Sequence, residues 1–141
     1  WGLNMKAAPD HFKVDATGVQ YAGDHLLIEL WGADQLVDAS HIERVLSLGA
    51  ETAGATILHS YFHAFGEGMG VSGVLVLSES HISIHTWPER SYAAIDIFMC
   101  GDCNPYDAIP VIKAAFHPQK IDTHFVKRGV IDNTTHLELV S

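Results

Sequence analysis

The chain has 141 residues, 48% of them hydrophobic, and its 17 acidic and 8 basic side chains give a formal charge of −9 at pH 7. This length fits one domain with a hydrophobic core, and the acidic balance argues against nucleic acid as a partner, because phosphate contacts need clustered Lys and Arg. No apolar run approaches the roughly 20 residues of a membrane span. We find no secretory signal, and two cysteines are too few for a disulfide-stapled scaffold, so we expect a cytoplasmic protein.

The first predicted elements are a strand and a helix that follow a polar N-terminal segment. Residues 1–21, of which the first four precede Met5, form a mixed segment that we expect to be a poorly ordered lead-in. Residues 25–31 are apolar and predict a buried strand. Ser40 and Glu43 have the spacing of a capping box, and apolar residues follow at helical intervals, which predicts a helix that begins near Ser40.

Strand-like segments fill the middle of the chain. Apolar runs predict strands at residues 55–64, 71–77, 82–85 and 92–99, with a glycine-rich turn at 66–70. The second and third runs are joined by residues 78–81. Asn104 and Pro105 predict a second helix, because Asn is a good N-cap and Pro suits the first helical position. A last strand is predicted at residues 121–126.

The order of elements is β-α-β-β-β-α-β when the two joined runs are counted as one strand. Most strands follow one another without an intervening helix, which favours an α+β fold: a two-layer α/β sandwich with a mainly antiparallel sheet and helices on one face. The strands are apolar on both faces, so the second face needs cover. Pairing of two sheets in a dimer would provide it.

The densest group of reactive side chains lies between Gly73 and Glu89. This segment holds three serines, two histidines and two glutamates within a strand-like run, and polar groups in such a run must be hydrogen-bonded or functional. In a regular strand His81, Ser83 and His85 share one face. The segment therefore lies on a sheet with a polar strip on one side.

Several interpretations of this segment remain open from the residues alone. The polar strip could be a hydrogen-bonded sheet edge. Ten histidines and the pair Cys100 and Cys103 suggest zinc, but zinc needs three or four ligands and the chain has no second Cys pair; a thioredoxin-type redox pair fits less well, because the predicted helix begins after both cysteines. A nucleophilic serine is the third possibility, since Ser80 and His85 could meet if the chain bends at Ser80.

The residues between Val71 and Glu89, Val-Ser-Gly-Val-Leu-Val-Leu-Ser-Glu-Ser-His-Ile-Ser-Ile-His-Thr-Trp-Pro-Glu, resemble the short prokaryotic class of S-adenosylmethionine decarboxylases. The similarity continues through Tyr92 to Phe98 and Cys100-Gly101, and includes Gly23 to Leu26 and Phe62 to Phe65. It covers about residues 22–128, which we take as the domain, leaving residues 129–141 as a C-terminal tail.

The resemblance implies an enzyme that makes a pyruvoyl cofactor from its own serine. The chain would cut itself between Glu79 and Ser80, and Ser80 would become the pyruvoyl group that forms a Schiff base with the substrate. The matched residues imply three further roles: His85 as the processing base, Cys100 as the proton donor in turnover and Ser72 as support for processing. Cys103 lies outside the matched pattern. No metal is expected.

The resemblance also implies a substrate and an assembly. Phe65, Trp87 and Glu89 suit the adenine, the sulfonium and the ribose of S-adenosylmethionine, whose decarboxylation yields the aminopropyl donor for spermidine. The implied assembly is a homodimer with four layers, α/β/β/α. The loop at 66–70 differs from the Pro-Tyr-Gly version of known members, so the alternatives are the same chemistry on arginine or ornithine, or an inactive partner-binding paralogue. No nucleic acid or membrane partner is expected.

Overall fold

The fold consists of one six-stranded antiparallel sheet with two helices on one of its faces. A computed structural model describes residues 10–131. The strands are β1 (Lys13–Val14), β2 (Gln20–Tyr21), β3 (Gly23–Trp31), β4 (Ile57–Ala64), β5 (Val71–Leu77), β6 (Ser80–Trp87), β7 (Tyr92–Met99) and β8 (Lys120–Arg128), and the helices are α1 (Ala39–Thr52) and α2 (Ile109–Phe116). The predicted two-layer α+β sandwich is confirmed.

The sheet has the strand order β4-β5-β6-β7-β3-β8, and every neighbouring pair is antiparallel. Strands β4 to β7 are consecutive hairpins, so β3, the first long strand, completes the sheet by pairing with β7 on one side and with β8 on the other. This topology places β6, β7 and β3 side by side at the centre. The residues of these three strands therefore determine what each face of the sheet presents.

Alternation along the strands separates a covered face from an open face. In β3, Leu26 is fully buried while its neighbour Leu27 is 38% exposed. The buried side chains pack under α1 and α2 and form the core; from the three central strands they include Leu26, Ile28, Leu30, Ile82, Ile84, Ala93, Ile95, Ile97 and Met99. The side chains on the other surface, which we call the open face, have no second layer over them within residues 10–131.

The N-cap of helix α1 lies two residues before the expected position. Its N-cap is Asp38, whose carboxylate accepts the backbone N–H groups of Ser40 and His41 at 3.0 and 3.2 Å. The predicted capping box was therefore wrong, because Ser40 already lies in the first turn. Glu43 instead accepts a hydrogen bond from the hydroxyl of Ser60 on β4. Glu43 thus connects α1 to β4 and does not cap the helix.

The second helical region begins at the expected N-cap, but its first turn is a 3-10 turn and not an α-helical one. Asn104 accepts the backbone N–H of Tyr106 at 3.1 Å, which confirms the predicted cap. Residues Pro105–Ala108 form a 3-10 turn that continues into α2. Strand β8 confirms the predicted last strand and extends it at both ends. No helix within residues 10–131 is long and apolar enough to cross a membrane.

Two expectations need correction in the described residues. Residues 10–21, expected to be a poorly ordered lead-in, contain the antiparallel pair β1 and β2, and Lys13 forms an ion pair with Asp24 at 3.2 Å. The runs 71–77 and 82–85, counted above as pieces of one strand, form the two arms of a hairpin, β5 and β6. Residues 1–9 and 132–141, and with them the rest of the lead-in and most of the tail, lie outside the described residues.

Candidate active site

The β5–β6 hairpin places unusual backbone geometry on Ser80. Leu77 pairs with Ser80, so the loop between the strands has only two residues, Ser78 and Glu79. Two-residue hairpins normally use loop residues with positive φ to match the twist of the strands. Neither loop residue has a positive φ here, and Ser80 has φ of 143° instead. A non-glycine residue in such a conformation costs about 1–3 kcal/mol, and this strain lies directly after the Glu79–Ser80 bond.

Hydrogen bonds hold Glu79 on both sides. The backbone N–H of Cys100 donates to the Glu79 carbonyl oxygen at 2.9 Å. The side chain of Glu79 accepts the backbone N–H of Thr56 at 2.9 Å, and the carbonyl of Thr56 accepts from Ser78. We call Glu79, Ser80 and Cys100 the cleavage end of the sheet. The Glu79–Ser80 peptide thus joins a hydrogen-bonded carbonyl to a strained serine.

A second group of predicted residues gathers at the opposite end of the same hairpin. Ser72 pairs with His85 across β5 and β6, and the Ser72 hydroxyl lies 2.9 Å from His85 Nδ1. A cavity of about 470 Å³ opens beside them. All five residues predicted to support processing or to bind substrate at this end line it, namely Phe65, Ser72, His85, Trp87 and Glu89. We call this group the cavity end.

The two ends are far apart within one chain. Ser80 and His85 are five residues apart on β6, which corresponds to roughly 16 Å at the usual rise of a strand. The chain does not bend to bring them together, because β6 stays in register with β5 and with β7 from Ser80 to His85. The expected meeting of Ser80 and His85 is therefore absent within the protomer. Ser72, which pairs with His85, also lies far from the Glu79 carbonyl, where Cys100 N–H is the donor instead.

A polar cluster that the sequence analysis missed lies on the open face beside the cleavage end. Asp96 of β7 accepts from His25 Nε2 of β3 at 2.7 Å and from His81 Nε2 of β6 at 2.9 Å. The hydroxyl of Ser83 donates to its other oxygen. Burial raises the pKa of Asp96, but the hydrogen bonds from Ser83, His25 and His81 outweigh burial and hold the pKa below its usual range. The sequence signal that could have indicated this cluster is Asp96 itself, a carboxylate within the otherwise apolar run of β7.

This cluster has the residue types of a metal site. The three ligand atoms of His25, His81 and Asp96 lie within 4.8 Å of one another. However, Arg128 of β8 approaches His25 Nδ1 at 3.0 Å, and a guanidinium can only donate hydrogen bonds. Metal-bound histidines normally donate their second ring N–H to an acceptor. The position of Arg128 therefore favours a hydrogen-bonded cluster over a metal centre.

The two cysteines lie in different environments. Cys100 is partly exposed and adjoins Glu79 through its backbone, whereas Cys103 is buried among the core residues under the helices. Burial raises the pKa of Cys103 to about 11, with a smaller contribution from the charge of Glu79. The Cys103 thiol is thus protonated at neutral pH, which makes it a poor thiolate ligand or nucleophile.

The open face carries aromatic and apolar side chains as well as the polar cluster. Trp31 stacks on Tyr92 with ring centroids 4.5 Å apart, and Trp87 lies 5.3 Å from the same ring. Large exposed hydrophobic residues on this face are Leu27, Trp31, Tyr61, Val76, Trp87 and Val126. Large exposed apolar patches are typical of surfaces that bind another molecule.

Comparisons with known proteins identify the family of the chain. A family model described as S-adenosylmethionine decarboxylase matches residues 24–129. An S-adenosylmethionine decarboxylase proenzyme of Methanococcus maripaludis is 48% identical over 78% of this chain and 92% of its own length, and one of Clostridium tetani is 43% identical over 78% and 89%. The crystal structure of the adenosylmethionine decarboxylase from Aquifex aeolicus has a TM-score of 0.72 and 32% identity, covering 83% of this chain and 98% of the other.

Proposed function

The chain belongs to the S-adenosylmethionine decarboxylase family, an enzyme family of polyamine synthesis, and we propose that it cuts itself between Glu79 and Ser80 before it decarboxylates S-adenosylmethionine. The observation that carries this proposal is the hydrogen bond from Cys100 N–H to the Glu79 carbonyl oxygen, next to a strained Ser80. The pyruvoyl group made from Ser80 supplies an electron sink when carbon dioxide leaves the substrate. A cytoplasmic location is part of the same proposal.

The backbone geometry supports the first step of cleavage. Ser80 Oγ attacks the Glu79 carbonyl carbon, an ester replaces the peptide bond, and the Ser80 nitrogen becomes a free amine. Negative charge develops on the Glu79 oxygen during the attack, and the N–H of Cys100 already points at that atom. The strained φ of Ser80 raises the energy of the intact chain, so cleavage releases strain.

The second step needs a base, and His85 of the same chain is too far from Ser80 to act as one. Removal of the Ser80 α-proton expels the Glu79 carboxylate and leaves dehydroalanine. Tautomerisation and hydrolysis by one water then give the pyruvoyl group and release ammonia. We assign the base to His85, whose Nδ1 lies 2.9 Å from the Ser72 hydroxyl and is thereby oriented.

A homodimer with the two sheets face to face would bring the two ends together. The cleavage end and the cavity end lie at opposite ends of β6, so a two-fold axis through the middle of the open face would place the partner subunit's His85 near Ser80. The same arrangement would cover Leu27, Val76 and Trp87 and give the four-layer α/β/β/α assembly. Each of the two sites would then use both subunits.

In turnover, the cavity end of one subunit would hold the substrate, and Cys100 of the partner subunit would return a proton to its α-carbon. Phe65 and Trp87 offer aromatic faces that attract a sulfonium by about 0.5–2 kcal/mol, and Glu89 offers a carboxylate for the ribose hydroxyls. The loop at residues 66–70 contributes Gly68, Met69 and Gly70 to the wall of the cavity. Two loop hydrogen bonds, from Phe65 N–H to Gly70 and from Met69 N–H to Gly66, fix that wall.

The substrate is tested by giving cleaved protein carboxyl-labelled S-adenosylmethionine, arginine and ornithine in separate assays. We expect labelled carbon dioxide from S-adenosylmethionine, because arginine and ornithine have no aromatic base or ribose for the cavity to hold. Release from arginine or ornithine alone would show that the cofactor chemistry is right and the substrate wrong.

The shared site is tested by mixing two inactive variants. Ser80→Ala cannot form the cofactor, and His85→Leu lacks the proposed base. If each site uses both subunits, co-expression restores one complete site in each mixed dimer, and random pairing gives about a quarter of wild-type activity. Complementation would fail if Ser80 and His85 of the same chain formed the site.

A further inference from the structure

The Asp96 cluster, which consists of His25, His81, Ser83, Asp96 and Arg128, has no role in the steps described above. It joins three central strands and β8 through side-chain hydrogen bonds on the open face. His81 is the residue that follows Ser80, so one member of the cluster is bonded directly to the position of the cofactor. Through His81, the cluster therefore contacts the chain directly after the bond that is cut.

The donors and acceptors of the cluster have a fixed direction. Arg128 can only donate, so His25 Nδ1 must accept and His25 Nε2 carries the proton that is shared with Asp96. Asp96 as a carboxylate can only accept, so His81 Nε2 must donate as well. The chain of bonds therefore runs from Arg128 through His25 to Asp96, and it holds the His81 ring with Nδ1 turned away from Asp96.

We propose that Asp96 and His25 are positioning residues that hold His81, and through its backbone the adjoining cofactor carbonyls, in the productive orientation after cleavage. This inference rests on the proposed function. It assigns no contact with substrate to Asp96 or His25, and both act through His81.

Cleavage itself creates the need for such an anchor. Cutting the Glu79–Ser80 bond removes the covalent hairpin link, and β6 then begins at residue 80 as a new chain end. Chain ends fray unless side chains hold them. His81 and Ser83, the second and fourth residues of the new chain, both donate to Asp96 on the neighbouring strand. These two hydrogen bonds hold the first residues of β6 against β7, next to the position of the pyruvoyl group.

The test compares His25→Leu with His25→Gln in the full-length, fully cleaved protein. A glutamine amide can accept from Arg128 and donate to Asp96, whereas leucine can do neither. We expect His25→Leu to lower kcat by about 10- to 100-fold with KM changed less than about threefold, and His25→Gln to stay within about threefold of wild type. Asp96→Asn should also lower kcat, because an amide cannot accept all three hydrogen bonds.

Asp34→Asn is the matched control, because Asp34 accepts from His117 at 2.8 Å on an exposed surface away from β6. We expect wild-type kcat and KM from it. If Asp96→Asn does not fold, the His25 pair decides, since both variants keep Asp96. Equal kcat for His25→Leu and wild type, equal losses in both His25 variants, or a rise in KM alone would overturn the positioning role. An uncleaved or inactive wild type would instead overturn the proposed function.

Discussion

The two faces of the central strands are built from the same backbone and have opposite characters. Under the helices, β3, β6 and β7 present aliphatic side chains that are almost completely buried. On the open face the same strands present His25, Asp96, His81 and Trp87. The covered face has the composition of a core, which stabilises the fold, whereas the open face holds polar groups in defined hydrogen bonds and leaves apolar groups exposed.

The difference shows how one short chain separates stability from chemistry. A covered face of packed aliphatic residues keeps the strand register fixed. That register sets the spacing of Asp96 from its two histidines and the distance between the cleavage end and the cavity end. The open face can therefore leave apolar side chains exposed, because the packing of the covered face stabilises the fold. Substitutions on the covered face should consequently lower the free energy of unfolding, whereas substitutions on the open face should affect turnover or dimer formation.

The largest expected effect comes from the two cysteines, because Cys100 adjoins the cleavage end and Cys103 is buried in the core. Cys100→Ala keeps the backbone N–H at the Glu79 oxygen, so we expect it to cleave. It should lose about 100-fold or more in decarboxylation for lack of a proton donor. Cys103→Ala, in the covered core, should keep activity and lose stability instead. Cleavage by gel and turnover by carbon dioxide release measure the two effects. Normal turnover by Cys100→Ala would reverse the assignment.

Adjacent leucines on β3 provide the most closely matched comparison of the faces. Leu26→Ala leaves a cavity under the helices and should lower the free energy of unfolding by about 2–5 kcal/mol, measured by urea denaturation. Leu27→Ala, one residue along on the open face, should weaken dimer formation by about tenfold, measured by analytical ultracentrifugation. An unchanged dimer in Leu27→Ala, with stability reduced as in Leu26→Ala, would argue against the open face as an interface.

A smaller effect concerns the acid stability of the Asp96 cluster. The pKa of Asp96 is lower in the folded state than in the unfolded state. Ionised Asp96 therefore contributes to the free energy of unfolding above the unfolded pKa of about 4, and this contribution is lost as the pH falls through the lower folded pKa. Wild type should therefore exceed Asp96→Asn in unfolding free energy at about pH 5, and the difference should shrink toward about pH 2.5. Urea titrations at both pH values measure it. A difference independent of pH would mean that the Asp96 charge contributes nothing.

The sequence predicted the layers better than it predicted which residues meet. Helices and long strands follow from periodicity and caps, and both helices and the central strands were placed from it. The two-residue hairpin at Ser78 and Glu79 was missed, because it contains no glycine, asparagine or proline to mark a turn. Asp96, His25 and Arg128 are far apart in sequence, and only strand register brings them together. The distance between Ser80 and His85 also depends on a register that the residue pattern did not specify.

The most direct test of the central claim is the intact mass of the purified wild-type protein, with Ser80→Ala measured beside it. We expect wild type to yield two chains, residues 1–79 and 80–141, with the second beginning in a ketone that reacts with a carbonyl reagent and lacking an N-terminal amine. Ser80→Ala should stay whole, because it has no attacking oxygen. A wild-type chain that remains whole after prolonged incubation, or that is cut with an ordinary serine amine at residue 80, would contradict the account.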